Sequence, residues 1–159
     1  MPKDKQYYAY DLEYSHILRE IKTPISIYSS CNSAEGKCVE TYALWDTGAT
    51  HSVFTPKIVQ DLGLIAVDTK IVSGIDKEKS SDIVVATILL PNAMVLPGRR
   101  YSVNFIPGAD VIIGMDIISM GDFVITNARG KTLFSFVIPT LNNKISFLQM
   151  SNDIEKETI

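Results

Sequence analysis

Trp45-Asp46-Thr47-Gly48-Ala49-Thr50 is the stretch on which the reading of this chain turns. It follows an apolar run, Ala43-Leu44-Trp45, that reads as a buried strand leading into a sharp bend. A glycine two residues after the aspartate permits a tight turn and the close approach of another stretch of backbone. The threonine between them offers a hydroxyl that can brace the turn. Asp-Thr-Gly occurs once in the chain, and Asp-Ser-Gly not at all. Downstream, Val111-Ile112-Ile113-Gly114 is a continuous apolar segment that stops at glycine, the pattern of a short strand buried on both faces.

Outward from these two segments the chain reads as short strands separated by turn residues, which predicts an all-β domain. Residues 24–28 alternate apolar and polar, and residues 39–45 form their partner after the Glu35-Gly36 turn. Residues 55–63 predict a short helix, with Thr55 as N-cap, Pro56 at the first helical position and Gly63 as the stop. Residues 69–75 and 83–90 are strands of a hairpin whose tip carries the charged run Asp76-Lys77-Glu78-Lys79. Residues 92–100 read as a turn-rich connection and 101–106 as a further strand. Residues 111–113 are the apolar strand, and 115–120 add about one helical turn. Residues 123–126 and 132–137 flank Asn127-Ala128-Arg129-Gly130 as a hairpin. Three divisions are expected: an extension or edge strand over 1–22, a domain over 23–150 ending in a strand at 144–150, and a flexible tail over 151–159.

Composition bounds what else the chain can be. At 159 residues it can bury the core of one domain, and 46% hydrophobic with 21% charged residues is ordinary for a globular protein. A net charge of -3 and the absence of a basic stripe argue against a nucleic-acid footprint. No apolar run approaches the length of a membrane-spanning helix, and the first residues lack the apolar core of a signal peptide. The expectation is a cytoplasmic protein without membrane or nucleic-acid partners. Cys31 and Cys38 could bridge the loop between them; in a reducing compartment they stay thiols. No histidine stands near them at zinc-ligand spacing, and no metal is expected.

Taken together, Trp45 to Thr50, the helix ending at Leu62-Gly63-Leu64, the Ser73-Gly74-Ile75-Asp76 turn and Ala109 to Asp116 resemble the retropepsins, the single-domain retroviral-type aspartic proteases, and especially their bacterial and cellular relatives. The resemblance covers roughly residues 24–137. It implies a closed β-barrel with one or two short helices, and a homodimer whose active site lies on the two-fold axis under one flap from each subunit. Carried over, Asp46 is the catalytic aspartate, Thr47 and Gly48 support it, and Ala49 follows in the retroviral manner. Ser73, Gly74 and Ile75 fall in the flap. Ile112, Ile113 and Gly114 pack around the turn and near the cleft. The substrate would be a polypeptide, with no cofactor.

Aspartic chemistry needs two carboxylates that share one proton. With a single Asp-Thr-Gly in the chain, the second comes from another subunit. The ionised member then acts as general base on a water that attacks the scissile carbonyl, and the protonated member stabilises the oxyanion. Each residue also has a plainer reading. Asp46 and Thr47 can be turn formers, and Ile112, Ile113 and Gly114 are strand residues in any case. Asp110 and Asp116 are alternative carboxylates that suit strand and helix ends. His51 reads as a rim residue, and His16 carries no signal. A non-catalytic peptide-binding or dimerisation module on the same fold is the second hypothesis, since fold does not guarantee activity. Peptide cleavage with an Asp46 variant as control separates the two.

Overall fold

The computed structural model describes residues 6–29, 36–73, 78–142 and 144–157. Ten strands and three helices account for most of them: β1 (Tyr8–Glu13), β2 (Lys22–Tyr28), β3 (Cys38–Trp45), β4 (Val53–Phe54), α1 (Pro56–Leu62), β5 (Asp68–Ser73), β6 (Glu78–Leu90), β7 (Met94–Val103), β8 (Val111–Ile113), α2 (Met115–Ile118), β9 (Asp122–Thr126), β10 (Leu133–Ile138) and α3 (Phe147–Glu157). Seven strands form one sheet in the order β2-β3-β8-β4-β7-β6-β5. β2 also pairs with β6, so six of the seven close into a barrel and β5 is left outside on β6. Closure removes the sheet edges that would otherwise be open to pairing.

The apolar segment at 111–113 lies between β3, to which it runs parallel, and β4, to which it runs antiparallel. Val111 and Ile113 face the core while Ile112, on the opposite face, is half-buried, so no position of the Val-Ile-Ile run is fully exposed. Val111 and Ile113 join Ile27, Phe54, Ile58, Ile88 and Ile117 as fully buried core residues. At roughly 1.5–3 kcal/mol for each fully buried large aliphatic or aromatic side chain, this cluster supplies much of the force that closes the barrel.

The second sheet, β1-β10-β9, is antiparallel throughout. It lies against the barrel through aromatic rings. Trp45 stacks on Phe123 with centroids 6.2 Å apart and packs against Phe134 and Phe136 at 4.9 and 4.8 Å. Tyr10 of β1 joins the same cluster through Phe134 and Phe136. Trp45 is also held at its polar end, since its indole Nε1 donates to the buried Thr23 hydroxyl at 2.9 Å. The residue preceding Asp46 is therefore anchored on both its apolar and polar sides.

Several expectations hold and several do not. The β2–β3 hairpin, the β5–β6 hairpin and the β9–β10 hairpin around Asn127 to Gly130 are formed. Helix α1 begins at Pro56 and stops at Gly63, whose φ of 65° is the left-handed conformation that glycine adopts without strain. Thr55 occupies the N-cap position, yet its side chain makes no capping bond and its buried hydroxyl has no partner among the described residues.

The connection expected over 92–100 is instead most of a ten-residue strand, β7. Only residues 91–93 turn, and Asn92 and Ala93 both stand at positive φ (57° and 55°), as the central residues of a type I′ turn do. Pro97 and Gly98, which suggested a loop, sit at an irregularity of the β6–β7 ladder beside the Ala86/Ile88 register shift. There the buried Thr87 hydroxyl accepts from the Gly98 N–H at 3.1 Å and stands in for a ladder carbonyl. β7 then ends at Val103 and not at 106.

The last strand, expected at 144–150, is also corrected. Residues 147–157 form α3, and Ser146 opens it by accepting from the Gln149 N–H. Ser146-Phe147-Leu148-Gln149 has the spacing of a capping box. Phe147, Met150 and Ile154 recur at the helical period and remain largely exposed.

Candidate active site

Asp46 lies just beyond the point where β3 and β8 end side by side, Trp45 opposite Ile113. Its backbone N–H donates to the Ile113 carbonyl at 3.0 Å, so the β3–β8 ladder positions the first residue of the turn. The turn is closed by two further bonds. Ala49 N–H donates to the Asp46 carbonyl at 3.2 Å, and Gly48 N–H donates to Asp46 Oδ1 at 2.8 Å. The second contact fixes one carboxylate oxygen on the backbone. A Cβ at Gly48 would lie 3.1 Å from that same oxygen, so glycine keeps the space around it open.

The following residues are sewn to the start of α2. Met115 N–H donates to the Ala49 carbonyl at 2.8 Å, and Asp116 N–H donates to the Thr50 carbonyl at 3.2 Å. Between these strands Gly114 has no room for a side chain. A Cβ there would stand 2.7–2.8 Å from the carbonyl groups of His51 and Ala49. All of those atoms are backbone and cannot rotate away, which is why the apolar strand must end in glycine.

Ser52 and Asp116 complete the scaffold, and neither was singled out from the sequence as a support of the turn. Ser52 is fully buried. Its N–H and its hydroxyl both donate to Asp116 Oδ1, at 2.9 and 2.7 Å, while its oxygen accepts from the Gly114 N–H at 3.0 Å. Charge-assisted bonds of this kind are the stronger ones, and together they tie the turn, the glycine and α2 into one unit. The only sequence signal was a lone serine between a rim residue and an apolar pair. Asp116, read as a helix-end carboxylate, has Oδ1 occupied by Ser52 here. Asp110 faces elsewhere, with Oδ2 at 3.4 Å from the Thr41 hydroxyl and 3.8 Å from Lys57 Nζ.

The remaining predicted residues separate by depth. Asp46 and Ala49 are half-buried, whereas Thr47 and Gly48 are exposed. Ile112 is half-buried and Ile113 is fully buried, so Ile113 shapes the site from within the core and does not line a cleft. Ser73 ends β5 opposite Glu78. Gly74 and Ile75 lie outside the described residues. The base of the β5–β6 hairpin reaches the turn directly, since Lys70 Nζ lies 3.0 Å from His51 Nε2. A cavity of about 350 Å³ opens between them, lined by the Gly48–His51 backbone, Val53, Lys70 and Ile71 among others. Tyr101 lies deeper, stacked on Phe54 at 4.1 Å, and burial pushes its hydroxyl well above the usual phenol range. Among the described residues no cluster of histidine, cysteine and carboxylate side chains could hold a metal ion.

A closed barrel that brings Asp-Thr-Gly beside an apolar strand ending in glycine is the retropepsin-like fold. A retropepsin-like aspartic protease from Rickettsia conorii shares it with a TM-score of 0.53 at 11% identity, over 86% of this chain and 98% of that one. Two further solved structures are similar more loosely. The EIAV protease complexed with the inhibitor HBY-793 has a TM-score of 0.48 and 21% identity over 66% of this chain and 89% of its own. The retroviral protease-like domain of Ddi1 from Leishmania major has 0.47 and 16% over 74% and 95%. No family model and no curated protein matches the chain. Among the described residues no helix is long and apolar enough to cross a membrane.

Proposed function

We propose that this protein is an aspartic endopeptidase whose active species is a homodimer, with one Asp46 from each subunit at the shared site. The observation that carries the reading is the state of Asp46 itself. Its carboxylate is held on the backbone of a turn braced from two strands, at the surface of the protomer, and the two candidate carboxylates nearest in sequence to β8 are engaged elsewhere. A surface carboxylate this firmly positioned is equipped to meet a second one. Brought together by a two-fold axis, the pair holds one proton, because two adjacent negative charges repel.

The chemistry then uses only this chain's residues and water. The ionised Asp46 takes a proton from the bridging water as it attacks the scissile carbonyl, and the protonated Asp46 donates to the developing oxyanion. Collapse of the tetrahedral intermediate breaks the C–N bond and passes a proton to the leaving amine. The Gly48 N–H keeps one carboxylate oxygen oriented throughout. Thr47, exposed at the tip of the turn, is available to pair its hydroxyl across the dimer axis.

The test is cleavage of a peptide library by the purified chain, with Asp46→Asn as control. An amide oxygen can still accept from Gly48, so the variant is expected to keep its thermal midpoint within about 2 °C, a shift that corresponds to less than roughly 1 kcal/mol. Its kcat is expected to fall at least about a thousandfold, since the amide cannot serve as general base. Turnover like that of the unmodified protein would end the assignment.

A further inference from the structure

The cavity beside the catalytic turn carries an electrostatic signature of its own. Its walls come from the turn on one side and the base of the β5–β6 hairpin on the other. A second chamber of about 230 Å³ adjoins it, and the two share His51, Lys70 and Ser102. Val53 and Ile71 supply apolar surface in the first chamber. Lys70 sits where the chambers meet, and its ammonium has only donors to offer. His51 Nε2 lies 3.0 Å from it. No ion pair among the described residues involves Lys70. Arg100 lines the second chamber and has Asp68 3.5 Å away. Of the charged groups on the two chambers, Asp68 offsets Arg100 and the charge of Lys70 is left over. That local excess stands on a chain whose net charge is -3, so it does not follow from composition.

We infer that these chambers form a specificity subsite for an acidic side chain of the substrate polypeptide, with Lys70 as the determining residue. The proposal rests on the reading of Asp46 as catalytic and adds to it the class of substrate. A glutamate side chain entering from the turn lays its methylenes along Val53 and Ile71 and brings its carboxylate to Lys70. There the bond between ammonium and carboxylate is charge-assisted on both sides. A lysine or arginine side chain at the same position meets the exposed Lys70 cation and is repelled, the more so at low ionic strength. Specificity would thus come from attraction of one class and repulsion of the other.

The experiment uses the full chain and matched fluorescein-labelled decapeptides that carry Glu, Gln or Lys at the position a peptide library shows to be selective. Cleavage is measured for the unmodified protein, Lys70→Glu and Lys70→Met, and binding of the same peptides is measured on Asp46→Asn by anisotropy. The glutamate peptide is expected to exceed the glutamine one by about tenfold in kcat/KM, and the lysine one by more. Lys70→Met should level the series, Lys70→Glu should invert it, and added salt should flatten it in the unmodified protein. Cleavage that ignores charge, or a glutamate preference that survives in Lys70→Glu, would overturn the subsite and leave the peptidase reading standing. Absence of cleavage, with Asp46→Asn still favouring the glutamate peptide, would overturn the peptidase reading and keep the subsite. Neither cleavage nor charge-selective binding would overturn both.

Discussion

Gly114 and Ala93 are the two residues at which backbone geometry makes the sharpest demands. Any side chain at Gly114 meets fixed carbonyl groups of the turn, so Gly114→Ala must push α2 and the β8 terminus away from Ala49 and His51. Overpacking of this kind costs about 1–3 kcal/mol, and the cost falls on the strands that orient Asp46. The expected outcome is a lowered thermal midpoint, read by calorimetry, together with a loss of peptide cleavage beyond what the loss of folded protein explains. Ala93 presents the reverse case. It holds a φ of 55° as the second of two consecutive positive-φ residues, positions that favour Asn-Gly, and Asn92 already precedes it. Ala93→Gly relieves a left-handed conformation that costs an L-residue about 1–2 kcal/mol, less what glycine loses in the unfolded chain. Denaturant unfolding should show a higher midpoint for Ala93→Gly at an unchanged slope.

Among the elements, β6 links the proposed cleft to the barrel. Its first half pairs only with β5 in the hairpin, and its second half is held by β7 and, at the end, by β2. The hairpin thus projects from a strand that is clamped at one end and single-sided at the other. Ile71 is exposed on it beside the turn. If the hairpin closes over bound peptide, backbone amides of residues 70–73 and 78–81 should exchange quickly in the free protein and slow on addition of a peptide-like inhibitor. Those of β8, paired on both sides, should be protected in either state. Equal exchange in the hairpin with and without inhibitor would remove it from the binding event.

For the whole molecule the issue is the second carboxylate. A homodimer with one Asp46 per subunit should lose specific activity on dilution in parallel with the dimer fraction measured by sedimentation, as mass action requires. A monomer with full activity would contradict it. The proposed pairing also bears on the pH profile. On that mechanism cleavage needs one protonated and one ionised carboxyl, so the rate should trace a bell, falling on the acid side as both protonate and on the alkaline side as both ionise. The profile is to be taken with the dimer fraction monitored at every pH. A rate rising steadily into alkaline solution with the dimer intact would point to a different nucleophile.

Elements set by local chemistry were legible in the sequence. Pro56 and Gly63 bound α1, the Val-Ile-Ile run marked β8, and Asp-Thr-Gly marked the turn, because a ring, a missing Cβ and an apolar period act within a few residues. The helix at 147–157 also carries a local signal, Ser146 three residues before Gln149, which outweighs the strand reading of 144–150. β7 is a different matter. Proline and glycine within it argue locally for a loop, and only the partner strand, through the Thr87 hydroxyl, restores the ladder across that point. The same holds for the scaffold beneath Asp46. Ser52 and Asp116 are 64 residues apart, and nothing near either one announces the other. Their bond exists because barrel closure lays β4 beside β8. The contact of Lys70 with His51 likewise depends on where a hairpin from one part of the barrel comes to rest against a turn from another. Turn and strand identity were therefore written in short-range sterics and hydrophobic period, whereas the support and the charge of the site were decided by long-range pairing, which one-dimensional spacing does not encode.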